Sequence, residues 1–168
     1  MMTDTPIDLR VDYAADANLR AALLALNNAH AVELSLADGA RMAMLVERAF
    51  LAARIGKLDA ALIAFDQDAD YDSANFHWFR ERYPRFVYVD RIVTAPEARG
   101  RGLARKLYAH LFEQARAAGH ERVVCEVNSD PPNPASEVFH QAIGFEPVGE
   151  ALLENGKTVT YLAHTLRR

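Results

Sequence analysis

The sequence predicts a mixed α/β fold built around a strand–helix–strand–helix core. Three observations carry this. Residues 86–94, FVYVDRIVT, are a β-branched and aromatic run of strand length. A helical stripe of Leu103, Leu107 and Leu111 follows and stops at Gly119. Then comes a second apolar run, RVVCEVN over 122–128, and after it Asn133-Pro134, a helix cap followed by a proline suited to the first helical position.

The remaining elements follow in order. IDLRV (7–11) reads as a first strand, and residues 15–30 place Leu19, Ala22, Leu23 and Leu26 at helical spacing. A second helix is predicted over 36–48, with Met42, Leu45, Val46 and Ala49 inward. FLAAR and AALIAF, joined by IGKLD, form a hairpin pattern. Residues 66–85 are polar and aromatic at once. Long connections of this kind are functional or disordered, and Tyr71, Phe76, Trp78, Phe79 and Tyr83 argue against disorder. A short helix spans 134–143, with Ala135, Val138, Phe139 and Ala142 as its apolar stripe and His140 at the edge. Two strands close the chain, near 146–152 and 157–166, around Glu154-Asn155-Gly156.

A chain of 168 residues, 51% hydrophobic and 25% charged, fits one soluble domain. Its longest apolar runs fall short of the roughly 18 residues that cross a bilayer. The polar opening MMTDTPIDLR is unlike a secretory leader. With a single cysteine, Cys125, there is neither a disulfide framework nor a cysteine metal cluster, so a cytoplasmic protein without metal is expected. The net charge of −4 is unevenly spread. Residues 1–79 carry 6 basic and 12 acidic side chains, 80–106 carry 8 and 3, and 107–168 carry 5 and 8. One basic centre in an acidic chain suits a local anionic ligand rather than a nucleic-acid track.

That centre contains EARGRGLARKL (97–107), a glycine-bearing turn between a predicted strand and a predicted helix. Such a turn binds phosphate, because the first helical N–H groups lack internal partners and the helix dipole favours negative charge there. A P-loop needs a lysine–hydroxyl pair after the last glycine, and none follows Gly102. A dinucleotide fingerprint needs a third small residue where Arg105 stands.

Arg99-Gly100-Arg101-Gly102-Leu103-Ala104 instead resembles the R/Q-x-x-G-x-G/A segment of the GNAT superfamily of N-acetyltransferases. A second stretch, Asn133 to Phe145, resembles that family's N-x-x-A-x-x-L-Y-x-K-x-G-F segment, one helix and one strand further on. Ser136 and Ala142 replace the usual alanine and lysine, and His140 replaces the tyrosine that commonly serves as general acid. The resemblance implies a single N-acetyltransferase domain over residues 1–168. Its mixed sheet would have about seven strands, splayed at a central parallel pair and flanked by about four helices. It implies acetyl-CoA as co-substrate, held by Arg99, Gly100, Arg101, Gly102, Leu103, Ala104 and Arg105, by the strand backbone at Ile92, Val93 and Thr94, and by Asn133 and His140. It places the acceptor near Asn27, Asn28, His30, Glu33 and Ser35, and near Tyr71, Ser73, Asn75, Trp78 and Phe79, of which Asn28, Glu33, Asn75, Trp78 and Phe79 are the leading candidates.

Acetyl transfer needs a neutral amine, a polarised carbonyl and a proton for the departing thiolate. A lysine-like amine is about 3.4 pH units from neutrality at pH 7, which costs roughly 4–5 kcal/mol. A general base therefore helps. Asp90 and Glu126, each an acid inside an apolar strand, are the candidates, against the alternative that each is only paired. His140 is the candidate proton donor. Cys125 reads as a small buried hydrophobe rather than a nucleophile, so a direct ternary-complex mechanism is expected. The acceptor is expected to be an amine of a small molecule or peptide, with no nucleic-acid or membrane partner, and the protein a monomer or homodimer. The alternative is a non-catalytic acyl-CoA-binding sensor or partner module of the same fold.

Overall fold

The structure, a computed structural model, describes residues 4–30 and 37–167. In chain order these form β1 (Ile7–Asp8), α1 (Ala17–Ala29), α2 (Gly39–Arg48), β2 (Leu51–Ile55), β3 (Ala60–Asp66), α3 (Ala74–Arg80) and β4 (Val87–Thr94). Then follow α4 (Leu103–Ala117), β5 (Arg122–Asp130), α5 (Pro134–Ala142), β6 (Glu146–Leu152) and β7 (Thr158–Thr165). The strands make a mixed seven-stranded sheet in the order β1-β2-β3-β4-β5-β7-β6. The chain divides into two compact units, Met1–Phe65 with Val89–Leu111 and Asp66–Tyr88 with Phe112–Arg168.

In the first unit β2 and β3 pair antiparallel from Leu51↔Ala64 to Ile55↔Ala60. Nearly every residue of both strands is buried, so the run is continuously apolar instead of alternating. The predicted first strand shrinks to Ile7–Asp8, paired with Arg54 and Ala53. Asp8 then accepts from the Arg10 N–H at 2.9 Å and bends Leu9–Val11 into a 3₁₀ turn that buries Leu9 completely. Asp16 and Asp38 cap α1 and α2 through the N–H groups of Leu19 and Arg41. Leu19, Leu23 and Asn27, each one turn apart, form the buried face of α1.

In the second unit β4 and β5 run parallel at Val87↔Val123 and Tyr88↔Val124. β7 lies antiparallel between β5 and β6. The aromatic stretch predicted as a connection contains α3, a fifth helix where about four were expected. Ser73 caps it, and Phe76 and Phe79 are fully buried. Two inward residues are too few to raise a helical period, so their edge-to-face packing with Phe86, Tyr88 and Tyr161 is what holds it. α5 starts as predicted, with Asn133 accepting from the Ser136 N–H and Pro134 in the first turn. Its buried face is not the predicted stripe. Val138 is 66% exposed while His140 is buried. The ring of His140 sits edge-on between Phe139 and Phe145, and its polar Nδ1 is satisfied within the helix itself.

Candidate active site

The glycine-arginine turn lies in the first unit. After β4, Pro96–Ala98 make one 3₁₀ turn, and the chain enters α4 through Gly100 at φ +83° and Gly102 at φ +70°. Both are left-handed conformations that glycine adopts at little cost. A Cβ built on either glycine would meet nothing within 4 Å, so the backbone faces open space at both. A side chain at either position would stand in front of that bare backbone. The N–H groups opening α4, a 15-residue helix, add the donors and dipole that bind an anion. The turn therefore fits a diphosphate. Its cations differ in their commitments. Arg101 bonds Asp59 at 3.1 Å and Asp4 at 2.7 Å, and Lys106 bonds Asp4 at 2.9 Å. These hydrogen bonds hold the Asp4 carboxyl below its ordinary range. Arg99 lies 3.4 Å from His30 Nε2, and Arg105 is exposed. Of the strand residues expected at the cofactor, Val93 is buried while Ile92 and Thr94 are half-buried.

Asp90 belongs to the same unit. Arg91 Nε donates to its Oδ2 at 2.8 Å, with both side chains at most 6% exposed. Arg91 Nη1 also donates to Asn27 Oδ1 at 2.6 Å. Asn27 in turn donates to Asn28 Oδ1, and Asn28 bonds the Ala37 backbone in both directions, at 3.0 and 3.1 Å. The candidate base Asp90 is thus half of a buried ion pair, and Asn28 is occupied in fixing the chain after α1. Glu33 and Ser35 lie outside the described residues.

The second unit holds the other acid. Glu126, half-buried on β5, accepts from Tyr88 Oη at 3.0 Å (Oε1) and 2.8 Å (Oε2), and from Asn75 Nδ2 at 3.1 Å. Tyr161 Oη donates to Asn75 Oδ1 at 2.8 Å. Burial, and then the charge of Glu126, push the Tyr161 phenol up to about 12, so it remains a donor. Trp78 stacks on Tyr161 with centroids 4.1 Å apart. Phe79, expected at the acceptor, is fully buried and belongs to the aromatic core. Tyr71 is buried as well, and Ser73 caps α3. The sequence reading named neither Tyr88 nor Tyr161. The signal was available: a tyrosine inside an apolar strand needs a partner for its hydroxyl.

His140, also in the second unit, places Nδ1 2.8 Å from the Ser136 carbonyl and 3.2 Å from Ser136 Oγ. A carbonyl only accepts, so Nδ1 carries the proton of the neutral ring. Burial lowers the pKa of His140, opposed by the Ser136 carbonyl bond. Asn133 uses its Oδ1 as the α5 cap. Cys125 is buried, as expected, and in no disulfide.

A profile described as "Acetyltransferase (GNAT) family" matches residues 46–145, which contain the turn, Asp90, Glu126 and the α5 motif. The L-amino acid N-acyltransferase MnaT of Escherichia coli (strain K12) is 36% identical over 74 residues, 44% of this chain. The match spans about two fifths of that relative's length (39%). Among solved structures, Ard1 from Thermoplasma volcanium aligns with TM-score 0.73 at 9% identity, over 98% of each chain. Salmonella typhimurium yncA, solved with acetyl-CoA, aligns with TM-score 0.68 at 19% identity, over 100% of this chain and 95% of that one. The mixed sheet with its parallel β4–β5 pair, the phosphate-fitting turn and the profile match agree: the chain belongs to the GNAT acetyltransferase family.

Proposed function

We propose that this protein is a single-domain, acetyl-CoA-dependent N-acetyltransferase that acylates the amine of a small molecule or peptide by direct transfer. The observation that carries it is the turn opening α4, with its bare backbone at Gly100 and Gly102. Separately, Glu126 is a half-buried carboxylate that accepts from Tyr88 and Asn75. Bound acetyl-CoA supplies an acetyl group activated as a thioester. The amides of residues 99–104 grip its diphosphate, with Arg99 and Arg105 steadying the phosphates. The strand backbone from Ile92 to Thr94 polarises the thioester carbonyl, as donors fixed in place stabilise developing negative charge.

Glu126 accepts the proton of the incoming ammonium, directly or through a water, and so offsets part of the roughly 4–5 kcal/mol needed to make the amine neutral. Asp90 does not serve this role, because Arg91 holds its charge in a buried pair. His140 stands where the family's pattern has its proton donor. Its Nδ1 proton is committed to Ser136, so it delivers a proton to sulfur only after Nε2 has gained one. Burial makes that state scarcer, and the contribution of His140 declines as pH rises above its lowered pKa.

MnaT supports an amino-acid-like amine as acceptor. The E. coli ribosomal-protein-S18-alanine N-acetyltransferase, similar in fold at TM-score 0.66 and 16% identity, supports a peptide N-terminus as the next class. Asn75 and Trp78 are less suited to contact the acceptor than their sequence suggests, since both are engaged around Glu126 and Tyr161. A cytoplasmic monomer or homodimer, without metal and without nucleic-acid or membrane partners, completes the reading.

The test is thiol release from acetyl-CoA over a panel of L-amino acids, N-terminal alanine peptides and polyamines. Turnover on one class, weakened in His140→Phe more at pH 6 than at pH 8, supports the reading. Tight CoA binding with no turnover on any amine would establish the acyl-CoA sensor instead.

A further inference from the structure

We propose that Tyr161 and Asn75 are positioning residues that fix the Glu126 carboxylate in its proton-accepting form, braced by Trp78 against Gly149. This rests on Glu126 being the base.

The two ends of the Asn75 amide are chemically distinct, and Tyr161 decides which end faces Glu126. The Tyr161 hydroxyl donates its one proton to Asn75 Oδ1 at 2.8 Å, which turns Nδ2 toward Glu126 Oε1 at 3.1 Å. The reverse orientation would aim Oδ1, an acceptor, at an ionised carboxylate, which is repulsive. Tyr161 thus locks Asn75 in the orientation that favours the charged form of Glu126, even when the carboxyl is protonated and would accept either end. With its phenol pushed up to about 12, Tyr161 keeps that proton across the working pH range.

The ring that carries this hydroxyl is itself clamped. Trp78 stacks on it at an interplanar angle of 20°, and Phe79 meets it edge-on at 5.1 Å. Arg82 lies over Trp78, 3.8 Å from the ring centroid, and donates to the Trp78 carbonyl at 2.9 Å. A Cβ on Gly149 of β6 would collide with Trp78 Cζ2, so only glycine at 149 leaves Trp78 where it is. Contacts therefore run from Gly149 through Trp78, Tyr161 and Asn75 to Glu126, all within the second unit. Asn75 and Trp78 act on the base rather than on the acceptor.

The decisive variant is Tyr161→Phe, which keeps the stacking ring and removes the hydroxyl. In the full-length protein, the side-chain carboxyl of Glu126 is titrated by ¹³C NMR, its signal assigned by its loss in Glu126→Gln. The expected result is a Glu126 midpoint raised by about one pH unit. The acid limb of kcat/KM should move by the same amount, with KM for acetyl-CoA unchanged within about twofold. A folded Tyr161→Phe with an unmoved midpoint overturns the proposal. Should that variant fail to fold, Asn75→Ala decides by the same readout and in the same direction. Full turnover in Glu126→Gln would remove Glu126 as base, and the NMR midpoint would still report separately on the relay.

Discussion

Asp90 and Glu126 pose the same problem in sequence, an acid inside an apolar strand, and the structure solves it in two ways. Asp90 meets a cation. Arg91 pairs with it at 2.8 Å, both side chains are at most 6% exposed, and Asn27 ties the pair to α1. Glu126 accepts from the neutral Tyr88 hydroxyl at both oxygens and from the Asn75 amide at Oε1, and is half-buried. The Arg91 guanidinium sits against the Asp90 carboxylate and fills the space beside it. Hydroxyl and amide donors orient the Glu126 carboxylate. The difference teaches that two strand carboxylates alike in sequence are told apart by the partners the fold brings to them.

The largest test of this contrast is Glu126→Gln, which keeps shape and removes the proton acceptor. We expect turnover to fall about 10²- to 10⁴-fold with KM for acetyl-CoA unchanged, read by steady-state kinetics. A loss of the same size in Asp90→Asn, at unchanged stability, would erase the distinction. Next, Arg91→Met should take away the guanidinium that pairs with Asp90. Denaturant unfolding should then show a stability loss of about 3–5 kcal/mol. A loss under about 1 kcal/mol would mean that the pair is solvated and that Asp90 is open to other roles. Gly149→Ala should cost about 1–3 kcal/mol by pressing on Trp78, and should lower turnover beyond the stability effect because Trp78 backs Tyr161. Unchanged turnover would separate the aromatic brace from the carboxylate.

The smallest effect concerns pH. Burial lowers the pKa values of His120, His140 and His164 below the ordinary 6.5. The unfolded chain therefore takes up protons first as pH falls, and stability is greatest above about pH 6.5 and is lost progressively beneath it. Melting temperature should drop between pH 7.5 and 5.5, at roughly 2–4 °C per kcal/mol lost. A flat profile would show that these rings are already solvated when folded, His140 included.

Legibility followed locality. The hairpin β2–β3, β4, α4, the α5 cap and the two closing strands were readable because each is written in a run of adjacent residues. α3 was not, since its two anchors acquire meaning only among Phe86, Tyr88 and Tyr161. The buried face of α5 was misread because Val138 outranks His140 in hydrophobicity. Burying the histidine costs little once the Ser136 carbonyl, one turn back, accepts from its Nδ1. Of the site, the phosphate turn and the Asp90-Arg91 pair could be found in sequence. The partners of Glu126 could not, for they come from 38 and 51 residues away.

The sequence by itself determined the phosphate turn. Gly100 and Gly102 admit positive φ and a bare backbone, and the following helix supplies the unpaired N–H groups whatever the rest of the chain does. Only the tertiary structure decided which partners each strand carboxylate meets. A charge takes its character from the groups brought within about 4 Å of it, and for Glu126 those arrive from β4 and α3.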